Sequence, residues 1–536
     1  MQTSSRITLN TASSWLTLLV NGGIGVVLVP FLLNQFGKAG YGLVALAGVV
    51  VSITMMVDMG LGGALGRQLA AAQAEKDDDH FNEFISTAMF LYLGLGTVGA
   101  LVCVGFAPLI ASAFNLPAEL LDEGIFLVRW YASAAVLLTF LSIPFSSVLT
   151  SKNRFDLLNM INLGGGVLKA GLLFSVLTMT DFRLYGWAIC MIASQAIVFL
   201  VTRRFAIRMK PTMRIRVSLV RKDATRSLFS LGGYLFTLRT VGKLSVASDP
   251  LVLTTILGPA SVALYSPAIM LSGMAKSLVD GLSSQLHPLA TSYHVTGQNE
   301  QLQQVLIRGT RYTLLLGLLA CVVLAVFAEP ICSVWLSKIL GQDYLITALV
   351  LVFWTGVDLT TYAAGSQWPV LLGVNRLRFL VWTQVPLAVA NLIASILLVK
   401  YTSLGVIGVI IPTLVIGIIR RPIIIVHTAR VIKLPVRRYL AEAYARPAMA
   451  LCILVVFAFA LKIALQPRDI VRLSVSIGAM FLIWLPTVWW IGFGRNDRES
   501  FRALASRGLA RIGRNGRDGK KVAIGGTQGT DLHDDE

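Results

Sequence analysis

Acidic residues are scarce in this sequence, and charge of either sign is thin. Asp and Glu number 27 among 536 residues, against 46 Lys and Arg, and all charged residues together make up 14%. Soluble domains carry about 25% charged residues, so a water-soluble globular protein is excluded. Cysteine is equally sparse. Cys103, Cys190, Cys321, Cys332 and Cys452 fall in or beside apolar runs, and none forms a C-x-x-C pair. Disulfide frameworks and thiolate metal sites need paired spacing, so buried, unpaired thiols are expected. The phosphate-cradling pattern G-x-x-x-x-G-K-[ST] is missing, and no polar stretch is long enough to fold a nucleotide-binding domain. An ATP-driven pump within this one chain is therefore excluded. Neither G-x-S-x-G nor H-E-x-x-H occurs, and no long outer loop offers catalytic side chains. That weighs against a membrane glycan polymerase or ligase, and the chain is expected not to be an enzyme. The first residues lack a short apolar core with a small-residue cleavage site, so Thr11 to Phe36 reads as an uncleaved first span.

What remains is apolar. Hydrophobic residues make up 55% and mean hydropathy is +0.73. Runs long enough to cross a bilayer core of about 30 Å follow one another with little between them. They predict helices near 12–36, 41–66, 84–108, 125–149, 156–178 and 184–202. A second set falls near 228–257, 261–287, 309–328, 345–372, 379–399 and 404–426, and two more near 447–465 and 471–493. The expected fold is an all-α integral membrane protein of about fourteen spans.

The net charge of +19 resides mostly between the spans. Segment 203–226 holds nine Lys and Arg, 420–446 holds seven and 495–521 holds nine, all on one side of the membrane if the count is fourteen. Under the positive-inside rule that side is the cytoplasm, which places both termini inside and argues for membrane lipid, not nucleic acid, as the basic partner. The run Asp77–Asp79 lacks a second spaced ligand set and reads as a solvated face, with no metal site expected. Residues 495–536 have the composition of a disordered tail.

The two halves match at a fixed offset. Phe106-Ala107 recurs as Phe327-Ala328, Gly37 meets Gly258, Gly60-Leu61 meets Gly281-Leu282 and Leu65 meets Leu286, all 221 residues apart. Asn153-Arg154 meets Asn375-Arg376 at 222. Six spans separate equivalent segments, so the copies share one topology and a central interface. The expected organisation is a six-helix bundle over 1–227, a second over 228–446, two further helices over 447–494 and the tail.

Ionisable residues at membrane depth are functional candidates, because each costs about 2.5–3.5 kcal/mol at a helix centre. The segment Leu228 to Leu257 carries Arg239 and Lys243 on one face, with Asp249 and Pro250 beyond. Lys169, Lys276 and Asp358 also fall near mid-span, and Asp58 and Asp280 lie towards the basic side. Lys276 and Asp280 stand at i and i+4 and can pair on their own helix. Asp249 can pair with Lys243 or with a neighbouring helix. After such pairing a cationic surplus of Arg239, Lys243 and Lys169 remains, suited to phosphate or diphosphate. Asp249, Asp280, Asp358 and Asp58 stand as coupling or pairing carboxylates. Thr360, Thr361, Tyr362, Ser366, Gln367 and Trp368 form a polar and aromatic stripe that suits either a sugar or interhelical hydrogen bonds.

Phe36-Gly37-Lys38-Ala39-Gly40-Tyr41-Gly42-Leu43, then Asp58-Met59-Gly60-Leu61 and Arg67, resemble the opening of the polysaccharide-transporter flippases. These belong to the multidrug/oligosaccharidyl-lipid/polysaccharide exporter superfamily. Asp249-Pro250, Leu257-Gly258 and Tyr265 look like the start of their second half, and Leu286-His287-Pro288 like its end. The resemblance implies two six-helix lobes in a V with two extra helices. It also implies transport of an undecaprenyl-diphosphate-linked oligosaccharide across the inner membrane, for surface polysaccharide, with cavity Arg and Lys holding the diphosphate or acidic sugars. The implied partners are a lipid-linked anionic oligosaccharide, membrane lipids and glycan-assembly proteins, with no cofactor. A drug or cation antiporter of the same fold is the alternative; it needs carboxylates deep in a lobe.

Overall fold

The computed structural model describes residues 2–58, 60–230, 233–376, 378–495 and 497–499. No strand occurs among them. Hydrocarbon offers backbone groups no partners, so a chain this apolar satisfies them within helices. Twelve segments of the described residues are long and apolar enough to cross a membrane. One of them, Ser13–Asp58, is two spans, because the Gln2–Thr54 helix is broken at Gly37 (φ 67°, ψ −178°). The Gly233–Leu257 helix, made less apolar by Arg239, Lys243 and Asp249, adds another. The total is about fourteen (12 + 1 + 1), as two six-helix bundles and two C-terminal helices.

Boundaries depart from the sequence expectation where polar residues turn the chain. The span expected over 41–66 ends in a 3-10 turn at Met55–Asp58, and Leu61–Glu75 is a separate helix entered through Gly60 (φ 76°). Asp77 is the N-cap of Asp78–Ala113; its carboxylate accepts from His80 N, and Asp78 and Asp79 occupy the first turn. The acidic run is thus a helix start, with carboxylates satisfying and neutralising the N-terminal end of the macrodipole. The described residues of segment 228–257 belong to the end of Lys222–Ser230 and to Gly233–Leu257. Ala328–Leu340, expected as part of a loop, is helical. Cys103, Cys190, Cys321 and Cys332 are buried free thiols, but Cys452 is exposed on the outward face of Ala445–Leu465.

The repeat is visible in the backbone. Gly37 and Gly258 both adopt positive φ with extended ψ (67° and −178°, 85° and 168°). Asn153 and Asn375 follow equivalent helices at φ 54° and 55°. Asp78 and Asn299 each begin a long span, 221 residues apart. Left-handed backbone favours Gly and Asn, so these corners had to keep their residue types while the spans between them diverged.

The bundles meet along a seam. The first span packs along Pro259–Ser284: a Cβ on Gly25 would stand 3.0 Å from Met270 Sδ, and one on Gly22 would stand 2.3 Å from Met274 Cε. On the face opposite the basic loops the seam is closed by three features. Gly42 lies against Pro259, Trp335 Nε1 donates to Val26 O at 2.8 Å, and Lys38 pairs with Asp343. Leu28, Leu32, Phe36, Leu264, Leu336 and Leu340 form one buried cluster there, shared by both bundles. Towards the basic face the first span stays against Pro259–Ser284, with Trp15 beside Gly281, while the second span parts from the second bundle.

Candidate functional site

That parting encloses a cavity of about 1430 Å³. The first bundle lines it with Ala45, Ser52, Met56 and Asp58, nearly all apolar or small. The second bundle supplies Thr240, Gly242, Val246 and Pro250, then Tyr265, Lys276, Asp280 and His287. Thr361, Tyr362, Trp368, Gln384, Arg420 and Arg421 complete the wall. The lining runs from Pro250 and Ala45, below the closed seam, to exposed Ser284 at the basic face.

The expected charges divide into several groups. Lys276 and Asp280 form an ion pair on the wall, so their charges cancel locally. Asp58 accepts the Tyr92 hydroxyl proton near the basic end. Asp358 is 4% exposed and accepts from Ser272 Oγ behind the wall. Asp249, 1% exposed, accepts from Tyr265 Oη at 3.0 Å, while its Oδ1 has no hydrogen-bond partner among the described residues. Lys169 sits half-buried on Phe155–Met179 and lines neither this cavity nor a smaller one of about 510 Å³. The structure therefore does not bring Lys169 to the site. Arg239 and Lys243 lie on the Gly233–Leu257 helix, and their side chains fall outside the described residues; Thr240, Gly242 and Val246 beside them line the cavity.

The polar stripe separates into two roles. Ser366 and Gln367 are buried in a network with Thr310, Tyr439 and Tyr444, where Thr310 Oγ1 lies 2.7 Å from Tyr439 Oη. Thr361 and Trp368 line the cavity instead, while Tyr362 is 2% exposed and packs its ring against Gly317. The polar residues of the first span serve packing. Asn159 Nδ2 donates to Ser13 Oγ (3.0 Å) and Ser14 Oγ (2.8 Å), and a Cβ on Gly166 would stand 1.9 Å from Asn21 Oδ1.

Arg420 and Arg421 were the residues hardest to place from sequence. The expected span 404–426 already contained them, yet they counted with the basic loop 420–446. The helix runs Ile410–Val431, so they sit ten residues from either end (420 − 410, 431 − 421). Arg420 Nη2 donates to Gln384 Oε1 and Arg421 Nη2 to Thr361 Oγ1, both at 3.1 Å. The signal was present: IGIIRRPIIIV is apolar on both sides of the pair.

A pair of like-oriented helical bundles around one central cavity, closed on the face opposite the basic loops, defines a multi-pass membrane protein of duplicated six-helix bundles. The family model described as polysaccharide biosynthesis protein matches residues 36–356, more than half of the 536, and the chain belongs to that family. It is 21% identical over 404 residues to the uncharacterized membrane protein EpsK of Bacillus subtilis (strain 168), across 75% of this chain and 79% of EpsK. Its fold is similar to that of the lipid II flippase MurJ in an inward closed conformation (TM-score 0.68, 15% identity, 90% of this chain and 98% of MurJ). A multidrug resistance MATE family transporter in an inward-facing conformation shares it too (TM-score 0.65, 14% identity, 78% and 95%).

Proposed function

We propose that the protein is a flippase carrying an undecaprenyl-diphosphate-linked oligosaccharide across the inner membrane by alternating access, as a step in surface polysaccharide synthesis. The observation that carries this reading is the cavity between the bundles. At about 1430 Å³ it exceeds the roughly 300–1,000 Å³ of ordinary small-molecule pockets. It is walled by both bundles and sealed on the face opposite the basic loops, the geometry that rocking two bundles would invert. Membership of a polysaccharide biosynthesis family and the fold shared with a lipid II flippase support the substrate class. In this reading the basic face and both termini are cytoplasmic, and Arg239 and Lys243 contribute to a cationic wall, Lys276 being neutralised by Asp280.

The test is Arg239→Ala with Lys243→Ala in cells. Export of surface polysaccharide should be abolished while the amount of protein in the membrane stays unchanged. Wild-type export would sink the role of that helix. Buried Asp249 and Asp358 are the carboxylates that an antiporter of the same fold would use. Cells lacking the protein should gain no sensitivity to cationic drugs; hypersensitivity with intact polysaccharide would favour the antiporter.

A further inference from the structure

We infer that Arg420 and Arg421 are the seat of a lipid diphosphate, a reading that rests on the transport role proposed above. Both residues line the cavity, and each guanidinium is held by one hydrogen bond, to Gln384 and to Thr361. The Nε of each is buried without a hydrogen-bond partner among the described residues. Two unpartnered polar atoms thus belong to neighbouring residues of the wall.

Leaving such atoms unmade is expensive. A buried unsatisfied polar group costs about 1–3 kcal/mol, and more when it is charged. Two neighbouring cations at mid-helix add mutual repulsion to the cost of charge at membrane depth. Among the described residues no carboxylate forms an ion pair with either. A purely structural arginine in this bundle is treated differently. Arg311 pairs with Asp497 and donates Nε to Glu442 O at 3.0 Å. The cavity arginines lack that provision, so their anion comes from the cavity.

Its chemistry follows from the count of charges. Two guanidinium groups call for two negative charges, and their planar forks match phosphate oxygens two at a time. A diphosphate diester supplies two charges on linked phosphates. A sugar carboxylate supplies one. Lys276 does not compete, because Asp280 neutralises it.

The full-length protein in detergent, titrated calorimetrically, tests the assignment. The probes are farnesyl diphosphate as a short lipid diphosphate, uridine diphosphate as a nucleotide diphosphate, and glucuronate. Farnesyl diphosphate should bind tightest. Arg420→Gln with Arg421→Gln should weaken it on the order of 100-fold, the worth of two charged hydrogen bonds. Arg420→Lys with Arg421→Lys keeps the charges, loses the forks and should weaken binding about tenfold. Unchanged affinity in the Gln variant overturns the seat. If that variant does not elute as a folded monodisperse protein, unchanged affinity in the Lys variant overturns it equally. Uridine diphosphate binding as tightly as farnesyl diphosphate overturns the lipid assignment. Export measured in parallel separates this proposal from the one before. Export lost with binding intact overturns the seat and leaves the transport role. Binding lost with export at the wild-type level overturns the transport role and leaves the seat.

Discussion

Gly42→Ala should shift the protein away from the conformation described above by about 5- to 150-fold, the equivalent of 1–3 kcal/mol. A Cβ at position 42 would stand 1.9 Å from Pro259 O and 2.5 Å from its carbonyl carbon. Both are backbone atoms, so no rotamer change relieves the clash, and overpacking of this kind typically costs about 1–3 kcal/mol. Gly42 belongs to the first bundle and Pro259 to the second, so the strain is relieved by separating the bundles on the closed face. The Lys38–Asp343 pair at the same seam is partly exposed and adds at most about 1 kcal/mol. Spin labels at Asp181 and Ser403, exposed on that face in the two bundles, should report a larger population of long distances in the variant. An unchanged distribution would mean that the seam does not set the equilibrium.

Asp497→Ala is expected to be the most destabilising single change near the C-terminus. Asp497 is 2% exposed and pairs with Arg311, itself 8% exposed, and with Arg308. It also accepts from Tyr312 Oη at 2.9 Å and from Gly494 N at 3.0 Å. Removing the carboxylate strands a buried guanidinium, which costs about 3–5 kcal/mol. Thermal unfolding in detergent should show a clear drop in Tm. The double variant Arg311→Leu with Asp497→Leu should recover much of it, because no charge is left unpaired. A single variant as stable as the wild type would show that Arg311 finds another partner.

The sequence made the scaffold legible because bilayer thickness and backbone hydrogen bonding leave few choices. Length and hydropathy placed the spans, and Gly37, Gly258, Asn153 and Asn375 marked the corners of the duplication. Local polarity was harder to read. Asp77 and Asp79 are exposed, as expected of a solvated face, but that Asp77 also caps a helix shows only once the following helix is seen. Ala328–Leu340 was missed because a short helix lying between spans has neither the length nor the hydropathy of a crossing one. The site was half legible. Lys276 and Asp280 were expected on one face and are paired. Arg420 and Arg421 escaped because a count of basic residues cannot separate those that orient a chain from those that line its cavity. Depth decides, and depth depended on five more residues of helix, to Val431.

The duplication preserved corners and discarded chemistry. At the offset of the Asn pair (375 − 153 = 222), the counterparts of Arg420 and Arg421 are Val198 and Phe199. Val198 packs against Gly165, and Phe199 against Phe145, inside the first bundle. On the proposed mechanism, an anion gripped at Arg420 and Arg421 travels as part of the second bundle. The first bundle then swings past a stationary load, touching it with side chains that, Asp58 apart, are apolar or small, and that offer no cation to grip it. Substitutions on that smooth wall should change how fast the load is delivered while leaving how tightly it is held untouched.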